Sequence, residues 1–206
     1  MTSIGGAYFS VPNGDEAGRA IGRYAASDRV PVDAQLVALA KVDRDQAFEL
    51  LYNAYRGRIF TFLLRLSGTS AAADDLTQES FEKAYRALAR LESDQKLLPW
   101  LYRIANNTAI DNLRRRTRFT WLPWIAVRGT THESVPGDAT EAASLRSDIT
   151  DVLQQLPPDN AAALLLHALE GYSYAEIARI QGCTLAAARS RISRARQAFK
   201  DTYRPE

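Results

Sequence analysis

Cysteine is almost absent from this chain: Cys183 is the single one, which rules out an internal disulfide, and it reads as a small hydrophobe packed in a turn. Histidine is nearly as scarce, with His132 and His167 alone, so no ligand cluster at metal-binding spacing exists and neither a metal nor another cofactor is expected. No apolar run approaches the roughly 20 residues that span a bilayer, so membrane insertion is not expected. The opening Met1-Thr2-Ser3-Ile4-Gly5-Gly6 lacks the basic start and apolar core of a secretory signal, which predicts a cytoplasmic protein. Charge of one sign is also missing in bulk, since 26 basic residues face 24 acidic ones for a net +2. Any charged working surface must therefore come from local concentration.

That concentration exists at the C-terminal end. Gly171-Tyr172-Ser173-Tyr174-Ala175-Glu176-Ile177-Ala178 leads through Gln181-Gly182-Cys183-Thr184 into Leu185-Ala186-Ala187-Ala188-Arg189-Ser190-Arg191-Ile192-Ser193-Arg194-Ala195-Arg196, the pattern of helix, tight turn and second helix. Gly182 stands where the turn needs left-handed backbone angles, and Thr184 is placed to cap the helix that follows. Leu185, Ala188, Ile192, Ala195 and Phe199 recur at spacings of three and four and predict one buried stripe. Ala186, Ala187, Ser190 and Arg194 then point away from it, flanked by Arg189, Arg191 and Arg196. Small residues at the centre with cations at the edges suit a helix lying in the DNA major groove. From Ser173 to Glu206 seven cations face three anions, so this segment is +4 in a chain of +2.

The hydrophobic fraction of 46% is enough for packed cores, and the pattern predicts an all-α protein of two small helical domains joined by an extended linker. Residues 1–31 read as a mostly disordered tail, 32–118 as the first domain, 119–143 as the linker and 144–206 as the helix-turn-helix domain. Pro123, Gly129, Pro136 and Gly137 break any helical period in the linker. Phe119-Thr120-Trp121-Leu122-Pro123-Trp124-Ile125 nonetheless holds three aromatics, so Trp121 and Trp124 are expected to be anchored on the first domain or on a partner, with Thr130 to Ala139 the mobile part.

In the first domain, Phe48, Leu51, Tyr52 and Tyr55 mark a helix that continues through Ile59 to Leu66 until Gly68 stops it. Its far end is nearly apolar all round, the mark of a core element. Between Thr69 and Glu82 lie Asp74, Asp75, Glu79 and Glu82 and no cation, an acidic surface unsuited to DNA and suited to a protein partner. Another helix is expected from Pro99 to about Arg116, with Leu101, Ile104, Ala105 and Thr108 on one apolar strip and Tyr102, Ile110 and Leu113 on a second. Between the strips runs a polar row of Arg103, Asn107, Asp111 and Arg114. Pro99 to Arg118 holds five cations against the one anion Asp111, a second basic face.

The acidic helix, then Pro-Trp-Leu-Tyr-Arg-Ile-Ala-Asn-Asn-Thr-Ala-Ile-Asp-Asn-Leu-Arg-Arg-Arg, then the helix-turn-helix, come in an order and separation that resemble the extracytoplasmic-function sigma factors of the bacterial sigma-70 family, over about Ala47 to Tyr203. The resemblance implies a promoter-specificity subunit of RNA polymerase, without catalytic residues, whose domains serve the −10 and −35 elements and help melt DNA. By matching positions, it implies that Asp74, Asp75, Leu76, Gln78, Glu79 and Phe81 dock on the clamp helices of the largest polymerase subunit. Lys96, Leu97, Leu98, Trp100, Arg103, Asn107, Arg114 and Arg115 become candidates for −10 recognition and melting, with the loop from Glu92 to Leu98 building a pocket for a flipped base and Asn107 helping to hold it. Ala186, Ala187, Arg189, Ser190, Arg191 and Arg194 match the −35 reading surface. Further partners implied are the polymerase flap, promoter DNA and an anti-sigma factor.

Two other readings are distinguishable. A free-standing helix-turn-helix regulator would bind a palindromic operator as a dimer without polymerase. A nucleic-acid-processing enzyme would need Asp74 and Asp75 as metal ligands, but neighbours on a helix diverge by about 100° and no third ligand lies at suitable spacing.

Overall fold

The computed structural model describes residues 30–119, 150 and 152–202, with the backbone alone for 30–32, 116–119 and 202. The expectations for the N-terminal tail, for most of the linker and for Trp121 and Trp124 fall outside the described residues. Among those residues every regular element is a helix.

Helix α1 spans Val30–Val42 and α2 spans Arg44–Ser67, separated by Asp43, whose side chain caps α2 by accepting from the Gln46 amide. Gly68 ends α2 in the left-handed region at φ 81°, and its N–H donates to the Leu64 carbonyl. Thr69 immediately caps α3, Ser70–Leu88, by accepting from the Ala72 amide. Two adjacent residues thus close one helix and open the next, which makes a tight antiparallel hairpin. Along α2, Ala47, Leu51, Tyr55, Ile59, Phe62, Leu63 and Leu66 are buried. This helix touches α1, α3 and the helix carrying Asn107, the central position expected of a core element.

That helix, α4, spans Leu97–Phe119 and so begins two residues before Pro99 and ends beyond Arg116. Its first turn is held from a distance: Asp33 on α1 accepts from the Leu97 amide at 3.3 Å and from the Tyr55 hydroxyl at 3.2 Å. One carboxylate ties three helices together.

After a helical turn at 152–155, α5 spans Pro158–Ala168 with a proline in its first turn, α6 spans Tyr174–Gln181 and α7 spans Leu185–Thr202. Ser173 and Glu176 form a complete capping box at the start of α6. The ring of His167 stacks on Tyr174 at 4.8 Å, and its Nδ1 lies 2.9 Å from the Tyr172 carbonyl. The two groups of helices share a seam, in which α6 packs against α4 and α5 touches α2 and α4. Tyr102, fully buried on α4, meets Tyr172 edge-on at 5.7 Å.

Candidate nucleic-acid interface

The turn between α6 and α7 forms as its residues dictate. Gly182 takes φ 61° and ψ 39°, and a Cβ there would meet nothing within 4 Å, so it is the backbone angle, not crowding, that calls for glycine. Thr184 Oγ1 accepts from the Ala187 amide at 3.1 Å, the cap expected for α7. Ala188, Ile192 and Ala195 are buried against α5 and α6, and Phe199 is half-buried. Leu185 departs from the expected stripe: as the first residue of α7 it is 41% exposed.

On the outward side, Ala186, Arg189 and Arg194 are exposed, and Ala187 and Ser190 are half-buried. Arg191 behaves differently from its neighbours. Its Nη1 donates to Gln181 Oε1 at 2.8 Å and its Nη2 lies 3.2 Å from Asp159 Oδ1, so it is fixed against the domain body. Arg189, Arg196 and Lys200 line an open groove with Tyr174 and Ser193, extending the cationic surface one turn past Arg196. Lys200 escaped the sequence-based list, although its position eleven residues after Arg189 puts it on the same helix edge.

The polar row of α4 is also real: Arg103, Asn107, Asp111 and Arg114 are all exposed, as is Arg115, whose Nε donates to the Asp111 carbonyl at 3.3 Å. Lys96 is exposed at the entrance to the helix and Trp100 is half-buried. Two expectations need correction. Leu97 and Leu98, at 0% and 6% exposure, are core residues and offer no accessible side chain to a DNA strand. As the first turn of α4, their apolar side chains turn inward rather than forming the rim of a base pocket. Asn106, by contrast, is a neighbour of Asn107 that the pattern did not single out. It is buried, its Nδ2 donates to Asn107 Oδ1 at 3.3 Å, and its own Oδ1 has no partner. Adjacent asparagines cannot be told apart by polarity alone.

On α3, Asp74, Asp75, Gln78 and Glu82 are exposed and Glu79 is half-buried. The acidic surface is less naked than its sequence implies. Glu79 pairs with Lys83 at 2.8 Å, Glu82 with Arg86 at 3.6 Å and Asp74 with Arg56 at 3.9 Å. Leu76 and Phe81 are corrected to core positions, at 2% exposure each; Phe81 meets Tyr52 edge-on at 4.9 Å. Beside the acids an open groove runs between α2 and α3, floored by Phe48, Tyr52 and Tyr85 and edged by Arg56, Gln78 and Arg86. Tyr85 lies under the Arg44 guanidinium at 4.2 Å and donates to Asp45 at 2.6 Å, a hydrogen bond that holds its phenol above the ordinary value. An amphipathic groove with charged edges has the chemistry that suits a protein partner; exposed cations beside small residues have the chemistry that suits DNA.

Among the described residues no group of three or more His, Cys, Asp or Glu is arranged to hold a metal ion, and no helix is long and apolar enough to cross a membrane.

Known proteins divide in the same way. The model of sigma-70 region 2 matches residues 51–119 and that of sigma-70 region 4 matches residues 146–199. RNA polymerase sigma-H factor of Pseudomonas aeruginosa is 38% identical, covering 84% of this chain and 94% of its own. The extracytoplasmic-function sigma-E factor of Escherichia coli is 34% identical over 84% of this chain and 95% of its own. Among solved structures, the sigma factor RpoE of Bartonella quintana, in complex with the anti-sigma factor NepR, superposes with a TM-score of 0.61 at 25% identity, covering 75% of this chain and 95% of that one. CnrH, in complex with the cytosolic domain of CnrY, gives a TM-score of 0.58 at 25% identity, covering 82% and 95%.

Proposed function

The chain belongs to the extracytoplasmic-function sigma factors of the sigma-70 family and directs promoter-specific initiation by RNA polymerase; from that premise we propose how its surfaces divide the work. The division into a first domain over 32–118 and a second over 144–206 is part of that reading. The exposed row Arg103, Asn107, Arg114 and Arg115, with Lys96 and Trp100 at its head, handles the −10 strand. A long helix presenting cations around one amide can track a phosphate backbone while the amide takes the edge of an unstacked base. Asn106 is a positioning residue beneath it.

The −35 duplex is met by α7, with Ala186, Ala187 and Ser190 allowing close approach and Arg189, Arg191 and Arg194 reaching base edges or phosphates. Arg196 and Lys200 add phosphate contacts from the flanking groove. Polymerase docking falls to Asp74, Asp75, Gln78 and Glu79 on the rim of the α2–α3 groove, against the clamp helices of the largest subunit, with Leu76 and Phe81 supporting the surface from inside. The second domain contacts the flap. The protein works in the cytoplasm, adds no catalytic residue of its own, and is held in check by an anti-sigma factor, a reading supported by a solved neighbour that is in complex with one.

The observation that carries this reading is the pair of cationic helix faces on separate domains together with an acidic, aromatic-floored groove that DNA would avoid. Mixing the protein with bacterial core polymerase and genomic fragments should give transcripts that start at a fixed distance from a two-part asymmetric sequence. Binding to a palindrome as a dimer, with no effect on polymerase, would overturn it. Reversing Asp75 and Glu79 to lysine should weaken core binding about tenfold or more without loss of helicity, since exposed acids serve association more than folding; unchanged affinity removes the docking assignment.

A further inference from the structure

Asn107 stands in the exposed row of α4, whereas Asn106, about 100° around the helix, falls on the buried strip with Tyr102 and Ile110, four residues to either side. It is 3% exposed. Among the described residues its Oδ1 has no hydrogen-bond partner, while its Nδ2 donates to Asn107 Oδ1 at 3.3 Å. A buried amide with an unpaired carbonyl is unfavourable for folding, and an apolar side chain would suit this strip better. Stability therefore does not account for an asparagine here.

The bond to Asn107 does. An exposed asparagine turns its terminal amide with little resistance, because that torsion is broad and nearly two-fold, and so offers its oxygen and its NH2 to a ligand in turn. Asn106 is fixed by the packing around it and cannot follow such turning. By engaging Asn107 Oδ1 it commits that oxygen to the helix. Nδ2, on the other arm of the same planar amide, is left facing outward.

We propose that Asn106 positions Asn107 for base selection: it holds the Asn107 amide with its NH2 outward, so that the captured −10 base is met by a hydrogen-bond donor and a keto group is favoured over an amino group at the contacted edge. The inference rests on the assignment of Asn107 to that base. Base chemistry makes the distinction usable. Thymine O4 and guanine O6 accept a hydrogen bond where cytosine N4 and adenine N6 donate one. An NH2 held toward a keto oxygen gains a bond, whereas held toward an amino group it meets a second donor, and both lose water without a partner. A freely turning amide serves both edges and selects neither. Selection thus needs a rigid partner behind the reading residue, which Asn106 supplies at a cost in folding stability.

The test uses the full chain. Asn106→Leu removes both the bond and the unpaired carbonyl, so its melting temperature should equal or exceed the parent's. Asn106→Asp, when ionised, offers acceptors only and obliges Asn107 to turn its NH2 inward and its oxygen outward. Reconstituted holoenzyme is given templates unpaired around −10, with each of the four bases placed in turn at each non-template position. The parent should show one position at which thymine and guanine are favoured about fivefold over cytosine and adenine, the size of one hydrogen bond. For Asn106→Leu that ratio should fall below about twofold, and for Asn106→Asp it should invert whatever the added charge does to overall binding. With Asn107→Ala in place, Asn106→Leu should change nothing further, since it acts through that side chain. A base profile unaltered in both Asn106 variants overturns the proposal. So does a lowered melting temperature in Asn106→Leu with every base losing equally, which makes Asn106 structural. Side-chain NMR decides the geometry without polymerase: the Asn107 NH2 protons should exchange with water equally fast in the parent and in Asn106→Leu. Protection in the parent that Asn106→Leu releases means that the amides are joined the other way round and overturns the orientation. If Asn107→Ala itself leaves opening of paired promoters unchanged, the assignment of Asn107 to the base falls and the selective role with it, while exchange still decides how the two amides are joined.

Discussion

The two cationic helices of this protein present different surfaces with similar composition. On α7 the middle of the exposed face is Ala186, Ala187 and Ser190, nearly flat, with arginines at its margins. On α4 the exposed face is a row of protruding polar side chains, Arg103, Asn107, Asp111 and Arg114. A flat centre admits the helix into the groove of an intact duplex; a protruding row with an amide at its centre suits a strand whose bases have left the stack. The helices also differ in what holds them. Gly182, Thr184 and the Ser173–Glu176 capping box define α6 and α7 from within a dozen residues, whereas α4 depends on Asp33, 64 positions away, and on a buried face shared with α2 and α3. Local instructions give a module that keeps its shape when moved. Long-range packing gives a rigid platform on which base capture can be aligned.

Substitutions that remove one kind of support should separate the two. Leu101→Ala, at 2% exposure on α4, should lower stability by about 2–5 kcal/mol in thermal or urea unfolding while the −35 affinity of the surviving folded protein stays near normal. A loss below about 1 kcal/mol would mean that α4 is not held by that packing. Asp33→Ala removes the distant cap of α4 and a partner of Tyr55, with an expected loss of roughly 1–3 kcal/mol and faster amide exchange at Leu97. Exchange left unchanged would show the cap to be idle. In the second domain, Gly182→Ala meets no steric neighbour, so backbone strain of about 1–2 kcal/mol is the whole expected effect. Smallest of all, Ser173→Ala should cost about 1 kcal/mol, with faster exchange confined to the start of α6. If its effect spread into α4, the claim of local support would be wrong.

The same difference explains what could be read from the chain. Both turn residues of the helix-turn-helix were visible because their roles are decided by near neighbours, and the all-helical two-domain plan followed from periodicity and the breakers at Gly68 and in the linker. At the site, the exposed row of α4 was legible because polar residues three and four apart share a face. Leu97 and Leu98 were misplaced because two leucines before a proline read as loop, whereas Asp33 supplies the missing cap and lets α4 begin early. Leu185 fits the stripe by spacing alone, and a stripe does not reveal how far the end of a helix is covered. Asp159 and Glu170 gave no signal, since their partners Arg114 and Arg58 lie 45 and 112 positions away. Charge pairing across such distances is decided by tertiary packing.

The division between duplex reading and strand capture is tested most directly at Asn107. Open-complex formation by reconstituted holoenzyme should be compared for parent and Asn107→Ala on a fully paired promoter and on the same promoter mismatched around −10. The account predicts a fall of about tenfold on the paired template and less than about twofold on the mismatched one, where no base step has to be opened. An equal fall on both templates would contradict it and make Asn107 a structural residue of α4.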